Sequence, residues 1–387
     1  MKLFNVRLVP GGEDVMVDSI TRLLKQHGDD VRLWTRENSE FENSLLGKIG
    51  VFFSGIYSPS AARAMTGMIE QVQPDIIHAH NLYPLFTPSV LAAARRLGVP
   101  VVYHCHSYLL TCPTAFHFRD EEICELCLPD RLYWCVFKNC RNNVLESFGY
   151  ALRIMIARKY RFFEDNVTIF ITLSQFNKNQ LVKAGFPENR VIALPNFVSV
   201  PESGCDPREG EYVAFSGRIS AEKGGGTLLA AAARLPEIPF RICGEGPLKD
   251  KLAGEAPENV SFVGWLDRAQ LSQFYRKARL IVVPSMWFEP FGLVAAEAMS
   301  HGVPVIASRT GGLEEVIADG ETGWFFAPGD SDDLEAKIKA LWENPELCRR
   351  MGLAARERVL REYSPEVYYR RLMDIYNKAM EINSQAA

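Results

Sequence analysis

Short apolar segments alternate with longer segments whose apolar residues recur at helical spacing along most of the chain. In the first half, apolar runs cover residues 3–8, 31–34, 75–78, 100–103, 167–172 and 190–194. Helix-like patterns cover residues 13–26, 88–97, 144–163 and 175–184, each following one of those runs or preceding the next. Strands and helices that alternate in this way predict crossover units on a parallel sheet.

The alternation restarts after a segment rich in proline and glycine at residues 195–210. Apolar runs then cover residues 212–216, 241–244, 260–263, 280–283 and 303–307, and helical patterns dominate residues 332–380. A Pro- and Gly-rich segment between two such series is typical of a linker. We therefore predict an α/β protein with two doubly wound domains, residues 1–195 and 196–365, followed by a terminal helix at 366–387.

Composition and charge narrow the class of protein. The chain has 387 residues, of which 47% are hydrophobic, and its 43 basic and 47 acidic side chains give a net charge of −4. This balance excludes a strongly basic nucleic-acid binder and a disordered polyelectrolyte, so no nucleic-acid partner is expected. The N-terminal residues lack a signal-peptide pattern, so we expect a cytoplasmic protein whose nine cysteines are thiols or metal ligands.

The stretch 282–299 carries the clearest chemical signal. A predicted buried strand is followed by a loop with Glu289 and by a helix predicted to begin near Gly292. Free N–H groups at a helix start attract anions, and Gly292 would let a phosphate approach them. Glu289 and Glu297 can both face one cleft and accept hydroxyls of vicinal diols. Alternatively, Glu289 is a surface residue and Glu297 only favours the helix dipole.

Two cations follow the strand at 212–216. Arg218 and Lys223 lie around a turn that ends in three consecutive glycines, so they could clamp two adjacent phosphates. The alternative is that both are solvated loop charges. Gly244 belongs to a Gly-Glu-Gly-Pro stretch after the next strand, and its glycines would let backbone approach a ligand. As a dinucleotide fingerprint it is weak, because the third glycine is missing.

Together these motifs resemble the retaining glycosyltransferases of glycosyltransferase family 4. The matching features are the E-x7-E spacing of Glu289 and Glu297 within FEPFGLVAAEAM, the later GVPVIAS and TGG, GEGP, the Gly217-Arg218 to Lys223 loop, Pro195-Asn196 and an N-terminal PGGED. The resemblance implies the GT-B fold: two Rossmann-like doubly wound domains that face each other across a cleft, with the terminal helix crossing back to the first domain.

The resemblance also implies site residues. The expected catalytic residues are His106, Arg218, Lys223 and Glu289. The expected donor-binding residues are Gly12, Gly217, Gly244, Phe291, Gly292, Leu293 and Glu297. In this reading the two cations hold the donor diphosphate as it leaves, Glu289 binds sugar hydroxyls and Glu297 binds the ribose. The charge that grows on the diphosphate then carries the catalysis, and no catalytic metal is expected.

The implied reaction is a retaining hexosyl transfer from a nucleoside diphosphate sugar to an alcohol acceptor. The acceptor would be a lipid-linked glycan, a glycolipid or a surface-polysaccharide precursor. One alternative is an epimerase or hydrolase of the same fold that acts on the nucleotide sugar itself. Another is a zinc-stabilised binding module, against which the acidic net charge argues.

Four histidines form two pairs near predicted strand ends. His78 and His80 follow one strand and His104 and His106 follow the next, so each pair shares a face. His106 matches the active-site histidine of the family, but Ser107 follows it where many relatives have Asp. We expect His80 to face the acceptor. The alternatives are packed core histidines or a metal site of the two-His, one-carboxylate type.

Five of the nine cysteines cluster in residues 112–140, within an irregular segment that spans residues 105–140. Cys124 and Cys127 have metal-knuckle spacing, and two further thiolates would complete a structural zinc site. Thiols of some relatives match the set Cys112, Cys124, Cys127 and Cys140, which makes Cys135 the spare. The alternative is a group of inert buried thiols.

The segment 145–163 is both basic and aromatic. It carries Arg153, Arg158, Lys159 and Arg161 among apolar side chains, a composition suited to an anionic lipid surface. We therefore expect peripheral association with the inner face of a membrane. An ordinary packed helix with a solvated face is the alternative.

Overall fold

A computed structural model of the chain describes residues 2–6, 12–37, 56–83 and 86–385. It divides into two compact units. The first consists of Met1–His117, Glu125–Leu194 and Tyr369–Ala387, and the second of Phe118–Cys124 and Pro195–Tyr368. Pro10 and Gly11 of the N-terminal motif lie outside the described residues.

The first unit contains a six-stranded parallel sheet. Its strands are β1 (Lys2–Val6), β2 (Leu33–Glu37), β3 (Ile77–His80), β4 (Val101–Cys105), β7 (Ile169–Thr172) and β8 (Val191–Ala193), in the order β2-β1-β3-β4-β7-β8. A short antiparallel hairpin, β5 (Phe118–Arg119) and β6 (Glu122–Ile123), interrupts the series. The helices are α1 (Gly12–Gln26), α2 (Pro59–Val72), α3 (Ser89–Arg96), α4 (Trp134–Phe137), α5 (Val144–Lys159) and α6 (Gln175–Lys183).

The second unit contains another six-stranded parallel sheet. Its strands are β9 (Tyr212–Ser216), β10 (Phe240–Cys243), β11 (Val260–Gly264), β12 (Ala278–Val283), β13 (Val305–Ser308) and β14 (Gly323–Phe326), in the order β11-β10-β9-β12-β13-β14. The helices are α7 (Gly225–Ala232), α8 (Lys249–Glu255), α9 (Arg268–Arg276), α10 (Leu293–Ser300), α11 (Leu313–Val316), α12 (Ser331–Trp342) and α13 (Pro345–Glu362). The predicted doubly wound α/β architecture is confirmed in both units.

Each sheet has a point where its strand order reverses. In the second sheet, which has the order typical of dinucleotide-binding folds, this point lies between β9 and β12; in the first it lies between β1 and β3. Connections leave such a point in opposite directions, so a crevice forms beyond the carboxyl ends of the two strands. These crevices are where ligands of doubly wound sheets bind.

The last helix, α14 (Pro365–Gln385), contributes to both units, because its residues from Tyr369 onward belong to the first. There Tyr369 stacks on His27 with ring centroids 3.7 Å apart, and Asn383 donates a hydrogen bond to the carbonyl of Gly98. The fold implied by the resemblance includes this use of the terminal helix. No helix among the described residues combines the length and the hydropathy that crossing a bilayer requires.

Some boundaries and elements differ from the sequence prediction. Strand β3 extends to His80 and β4 extends to Cys105, so three of the four paired histidines lie inside strands. The apolar pattern did not predict α2, the hairpin or β14. Helix α2 contains Gly67 and several small residues, which weaken its apolar period, but Ser58 caps it and Pro59 starts it.

Candidate active site

Two loops of the second unit meet at the point where its strand order reverses. Gly224 ends the loop after β9 with φ of +69°, and a Cβ there would lie 1.8 Å from the carbonyl oxygen of Pro284, at the end of β12. The backbone N–H of Met286 donates to the carbonyl of Glu222 at 2.9 Å. This direct backbone contact brings Lys223 on one loop to Glu289 on the other.

Glu289 is the centre of a buried hydrogen-bond network. Its Oε1 accepts from Lys223 Nζ at 2.5 Å, Ser285 Oγ at 2.7 Å and Trp287 Nε1 at 3.0 Å. Burial by itself would raise the pKa of Glu289, but Lys223 and the three hydrogen bonds outweigh it and leave the pKa below its ordinary value. The carboxylate is therefore ionised, and Oε2, which makes none of these bonds, can accept from ligand hydroxyls.

The two predicted cations differ in their surroundings. Lys223 is three-quarters buried and lies 5.1 Å from the ring centroid of Trp287. Arg218 is exposed and takes part in no ion pair found among the described residues. Lys223 is thus fixed by the protein, whereas Arg218 has a guanidinium that a ligand can engage.

Helix α10 begins as the sequence predicted. Gly292 is its N-cap with φ of +101°, and a Cβ at this position would come within 2.6 Å of Leu313. The positive φ and the close approach of the Leu313 side chain both favour glycine at this position. The N–H groups at the start of this helix have no intrahelical partner, so the loop that carries Glu289 ends at a site suited to an anion.

Glu297 lies one turn into α10 and is held by a tyrosine. Tyr275 Oη donates to Glu297 Oε2 at 3.1 Å. Burial raises the pKa of Glu297 to about 7, although the bond from Tyr275 and the charge of Arg268 act in the opposite direction. Glu297 therefore titrates near neutral pH, in contrast to Glu289.

The structure gives a second reason for the glycine at Gly244. A Cβ there would lie 1.9 Å from the carbonyl oxygen of Gly217, and one at Gly246 would lie 2.3 Å from that of Ile219. The loops after β9 and β10 therefore pack backbone against backbone, which by itself requires these glycines. Gly12, the first residue of α1, is exposed, and a Cβ there would meet no atom within 4 Å.

In the first unit, four imidazole rings form a compact block. His78 and His80 on β3 have ring centroids 4.1 Å apart, and His104 and His106 on and after β4 are also 4.1 Å apart. Three of the rings are buried and His106 is half-buried. His80 lies in register with His104, so the expectation that it faces an acceptor is wrong: it points into the packed block.

Hydrogen bonds connect the block at both ends. His78 Nδ1 and Tyr376 Oη of α14 are 2.7 Å apart, and His80 Nδ1 and His106 Nε2 are 2.8 Å apart. Two positive charges about 5 Å apart would repel by about 3 kcal/mol at an effective dielectric constant of 20. Protonation of neighbouring rings at the same time is therefore disfavoured, and a ring that is neutral has one donor and one acceptor nitrogen.

The block also contains the one group of metal-ligand type found in the described part of the chain. Ring nitrogens of His78, His80 and His104 lie within 4.8 Å of one another, and no carboxylate belongs to the group. However, His78 and His104 are stacked with an interplanar angle of 4°. Ligands of a metal point their lone pairs at one centre, which parallel stacked rings do not do. This geometry does not fit the two-His, one-carboxylate alternative.

The five cysteines of residues 112–140 include the four predicted zinc ligands. A hydrogen bond to Cys140, burial, and the nearby Cys127 and Cys112 all raise the pKa of Cys135. Cys135, the predicted spare, thus lies among three of the four predicted ligands. Within the described residues, no three cysteine sulfurs meet the 4.8 Å spacing that the histidines meet. The zinc site stays a prediction, and elemental analysis of protein purified without chelator tests it.

Helix α5 is apolar on two sides. Its buried side carries Ser147, Ala151, Ile154 and Ala157. On another side, Leu145 is 80% exposed, and Phe148 and Met155 are also exposed. Residues 145, 148, 152, 155 and 159 recur at intervals of three and four, so they form one stripe that ends in Lys159. We call these five residues the α5 stripe.

Two of the four basic residues predicted to face a lipid surface are not on that surface. Arg153 is packed between the rings of Tyr83 and Tyr150, and burial lowers its pKa. Arg158 has a side chain only 10% exposed and donates to the carbonyls of Pro129 and Ala184. Only Lys159 and Arg161 are exposed. Two of the four basic side chains of this segment therefore make packing contacts within the protein and are not available to a lipid surface.

Sequence reasoning did not select three residues that the structure places around the candidate site residues. They are Ser285 and Trp287, which bind Glu289, and Tyr275, which binds Glu297. Ser285 and Trp287 lie beside Glu289 in the same motif, so proximity could have suggested them. Tyr275 gave no local signal, because it meets Glu297 only in the folded chain. His80 was selected, but its hydrogen bond with His106 was not predicted.

Comparison with known proteins identifies the segments of this chain. A model described as Glycosyltransferase Family 4 matches residues 10–201, and one described as Glycosyl transferases group 1 matches residues 204–358. The sulfoquinovosyl transferase of Arabidopsis thaliana is 39% identical over 299 residues, which are 75% of this chain and 54% of that protein. A glycogen synthase of Mycobacterium tuberculosis is 35% identical over 173 residues, 42% of each chain. The chain thus matches about half the length of these relatives.

Solved structures share the fold. Sucrose-phosphate synthase from Thermosynechococcus elongatus aligns with a TM-score of 0.72 at 21% identity, covering 97% of this chain and 98% of that one. An Anabaena protein solved with UDP-glucose aligns with a TM-score of 0.65 at 20% identity, covering 96% and 98%. These likenesses establish the GT-B fold for the chain.

Proposed function

The chain belongs to the glycosyltransferases, with a family 4 segment in its first half and a group 1 segment in its second, and from this we propose that it transfers a sugar from a nucleoside diphosphate sugar to an alcohol acceptor. The observation that carries the proposal is the network around Glu289. An ionised buried carboxylate, a fixed lysine and a helix N-terminus occur together where ligands of doubly wound sheets bind. The Anabaena protein of the same fold was solved with UDP-glucose, which supports a nucleotide sugar as the donor.

In the proposed reaction, the bond between the sugar C1 and the diphosphate oxygen breaks, and negative charge develops on the diphosphate. The acceptor oxygen bonds to C1 on the same face of the sugar, and its hydroxyl proton passes to the departing diphosphate. Lys223, Arg218 and the first N–H groups of α10 stabilise that charge more in the transition state than in the bound substrate. Glu289 Oε2 accepts hydrogen bonds from hydroxyls of the sugar, and Glu297 binds the ribose diol. The reaction is proposed to be a hexosyl transfer with retention of configuration, in which no protein nucleophile takes part.

The donor is tested first. Thermal shift and slow hydrolysis are measured with UDP-, GDP- and ADP-sugars for the wild type and for Glu289→Gln. We expect one nucleotide class to raise the melting temperature of the wild type and Glu289→Gln to lose turnover. If no nucleotide sugar changes the melting temperature or is turned over, the proposed donor class is wrong.

The alternative activity is that of an epimerase or hydrolase. Product analysis with and without acceptors distinguishes it from the proposed transferase. A transferase converts the donor much faster when an acceptor alcohol is present and yields a new glycoside of the same anomeric configuration. An epimerase or hydrolase reaches the same rate and products without any acceptor. NMR of the anomeric proton in the product distinguishes retention from inversion.

The acceptor is proposed to be lipid-linked or a glycolipid, and the protein to work at the inner face of a membrane. The α5 stripe supports this, because Leu145 is 80% exposed, Phe137 on α4 is 76% exposed, and Lys138 and Arg141, which lie between them in the sequence, are exposed as well. An exposed apolar stripe with basic neighbours suits an anionic bilayer surface.

Sedimentation with anionic vesicles tests this surface. We expect Leu145→Glu to lose vesicle binding, and Leu353→Glu, which changes another exposed leucine, on α13, to keep it. Added salt should weaken wild-type binding, because screening reduces attraction to anionic headgroups. Absence of wild-type binding at low salt would instead favour an acceptor free in solution.

A further inference from the structure

We propose that His80 is a positioning residue that fixes the ring orientation and tautomer of His106. The inference rests on the proposed function, in which His106 meets the reacting sugar. It adds a role for a histidine that lies wholly inside the first sheet and that no ligand can reach, since its side chain is fully buried.

His106 needs support from a neighbouring side chain. Strand β4 ends at Cys105, so His106 is the first residue beyond the hydrogen-bonded ladder. The residue after it is Ser107, where many proteins that the sequence resembles have a carboxylate. His80, one strand away on β3, supplies a ring nitrogen at 2.8 Å from His106 Nε2.

This hydrogen bond restricts the chemistry of His106. A neutral imidazole has one N–H and one lone pair on its two nitrogens, so engaging Nε2 determines what Nδ1 can do. In a bond between two ring nitrogens, one nitrogen donates and the other accepts, so the tautomer of His106 is tied to that of His80.

The block holds His80 in turn. Its ring lies 4.1 Å from that of His78, and His78 Nδ1 is 2.7 Å from the hydroxyl of Tyr376 on α14. His106 also stacks on His104, with an interplanar angle of 17°. Stacking alone would fix the plane of His106 but not its tautomer, since it does not distinguish one ring nitrogen from the other. The two explanations therefore differ in a measurable quantity.

The direct test is nitrogen NMR of protein with labelled histidine and no substrate. A hydrogen bond between two nitrogens produces a scalar coupling between them, so the wild type should show coupling between His80 Nδ1 and His106 Nε2, with one dominant tautomer of His106. Absence of this coupling together with mixed tautomers would overturn the proposal. This measurement needs no variant and does not depend on any replacement folding.

Two substitutions at His80 sharpen the test. Asn places an amide near the position of Nδ1, whereas Leu has similar size and no polar atom. We expect His80→Leu to leave His106 with mixed tautomers and to lower kcat about tenfold with little change in KM, and His80→Asn to restore most of both. Equal behaviour of the two variants in the tautomer measurement would contradict the proposal.

Controls separate this inference from the proposed function. Ser261→Ala removes a hydroxyl of the second unit that bonds to the carbonyl of Phe240, and it should leave the His106 tautomer and kcat unchanged. His106→Ala should lower turnover more than His80→Leu. If His106→Ala turns over normally while the nitrogen coupling is present, the positioning of His106 stands and its proposed contact with the sugar fails.

Discussion

The two sheets use the points where their strand orders reverse in different ways. In the second unit, the loops beyond β9 and β12 carry ionised and cationic side chains, with Glu289 and Lys223 in direct contact. In the first unit, β3 borders that point, and its histidine rings stack with those on and after the neighbouring β4, of which only His106 is half-buried. The second unit thus places charged side chains near the reversal point, whereas the first places stacked imidazole rings there.

The difference follows from where the side chains are attached. Groups on loops beyond a strand keep access to solvent, so charges there can be partly hydrated before a ligand binds. Groups inside a strand of a parallel sheet are covered on both faces, and a charge there would be costly. Under the proposed function, we expect the second unit to bind and stabilise the anionic donor and the first unit to contribute the imidazole of His106.

The largest expected effect on kcat comes from replacing the two cations of the second unit. Lys223→Ala and Arg218→Ala should each lower kcat at least about 100-fold, because a donor that stabilises developing charge is worth roughly 3 kcal/mol. Lys337→Ala, which removes a partly exposed ion pair with Asp333 on α12, serves as the control and should leave kcat unchanged. Steady-state kinetics with the identified donor measures all three. Near-normal turnover in both site variants would remove the charge-stabilisation mechanism.

The next largest effect concerns the hydrogen bonds that hold the carboxylate of Glu289. Ser285→Ala and Trp287→Phe each delete one hydrogen bond to a buried carboxylate, and such bonds contribute about 1.5–3 kcal/mol. We expect kcat/KM to fall roughly 10- to 100-fold for each. Ser261→Ala removes a hydroxyl that bonds only to the carbonyl of Phe240, on a strand of the same sheet, and should have no such effect. If the three variants are indistinguishable, the network does not orient Glu289 for the donor.

A smaller effect concerns the pH dependence of donor binding. The pKa of Glu297 is raised to about 7, and a ribose diol donates to its ionised form. Donor affinity should therefore rise with pH, by up to about tenfold between pH 6 and pH 8. Glu297→Gln should bind more weakly and lose this dependence. Calorimetric titration at several pH values would contradict the assignment if both proteins showed the same slope.

The smallest effect separates packing from function in the first unit. Tyr376→Phe removes the hydrogen bond to His78 in a buried setting, which should lower the free energy of unfolding by about 1 kcal/mol. Donor affinity should not change, since the donor-binding groups belong to the other unit. Denaturant unfolding and donor titration of the same sample measure both quantities. A change in donor affinity without a change in the free energy of unfolding would contradict the assignment of donor binding to the second unit alone.

Much of the second unit could be predicted because its candidate site residues lie on elements that follow one another in the sequence. The strand before Pro284, the loop with Glu289 and the start of α10 near Gly292 follow one another along the chain. Each is specified by local backbone preferences, such as the positive φ at Gly292. The role of Tyr275 could not be predicted, because it lies on a different helix from Glu297.

The first unit shows the opposite case. His78 and His80 are two residues apart, and this spacing correctly predicted that they share a face. It did not predict that three of the four imidazole rings would be buried. Burial depends on which strands lie on either side and on what covers the sheet. The same limit applies to Arg153 and Arg158, whose charge suggested a surface and whose side chains instead pack against aromatic rings and backbone carbonyls.

The amino-acid sequence by itself determined the two doubly wound units, the start of α10 and the set of residue types that suit a donor diphosphate. These features depend on local propensity and on the apolar period, which act over a few residues. The tertiary structure alone decided which carboxylate is ionised, which ring nitrogen of His106 is engaged and which cysteine lies among the others. Those outcomes depend on contacts between residues far apart in the chain, 66 positions for Lys223 and Glu289 and 298 for His78 and Tyr376. Such contacts exist only after the sheets have formed.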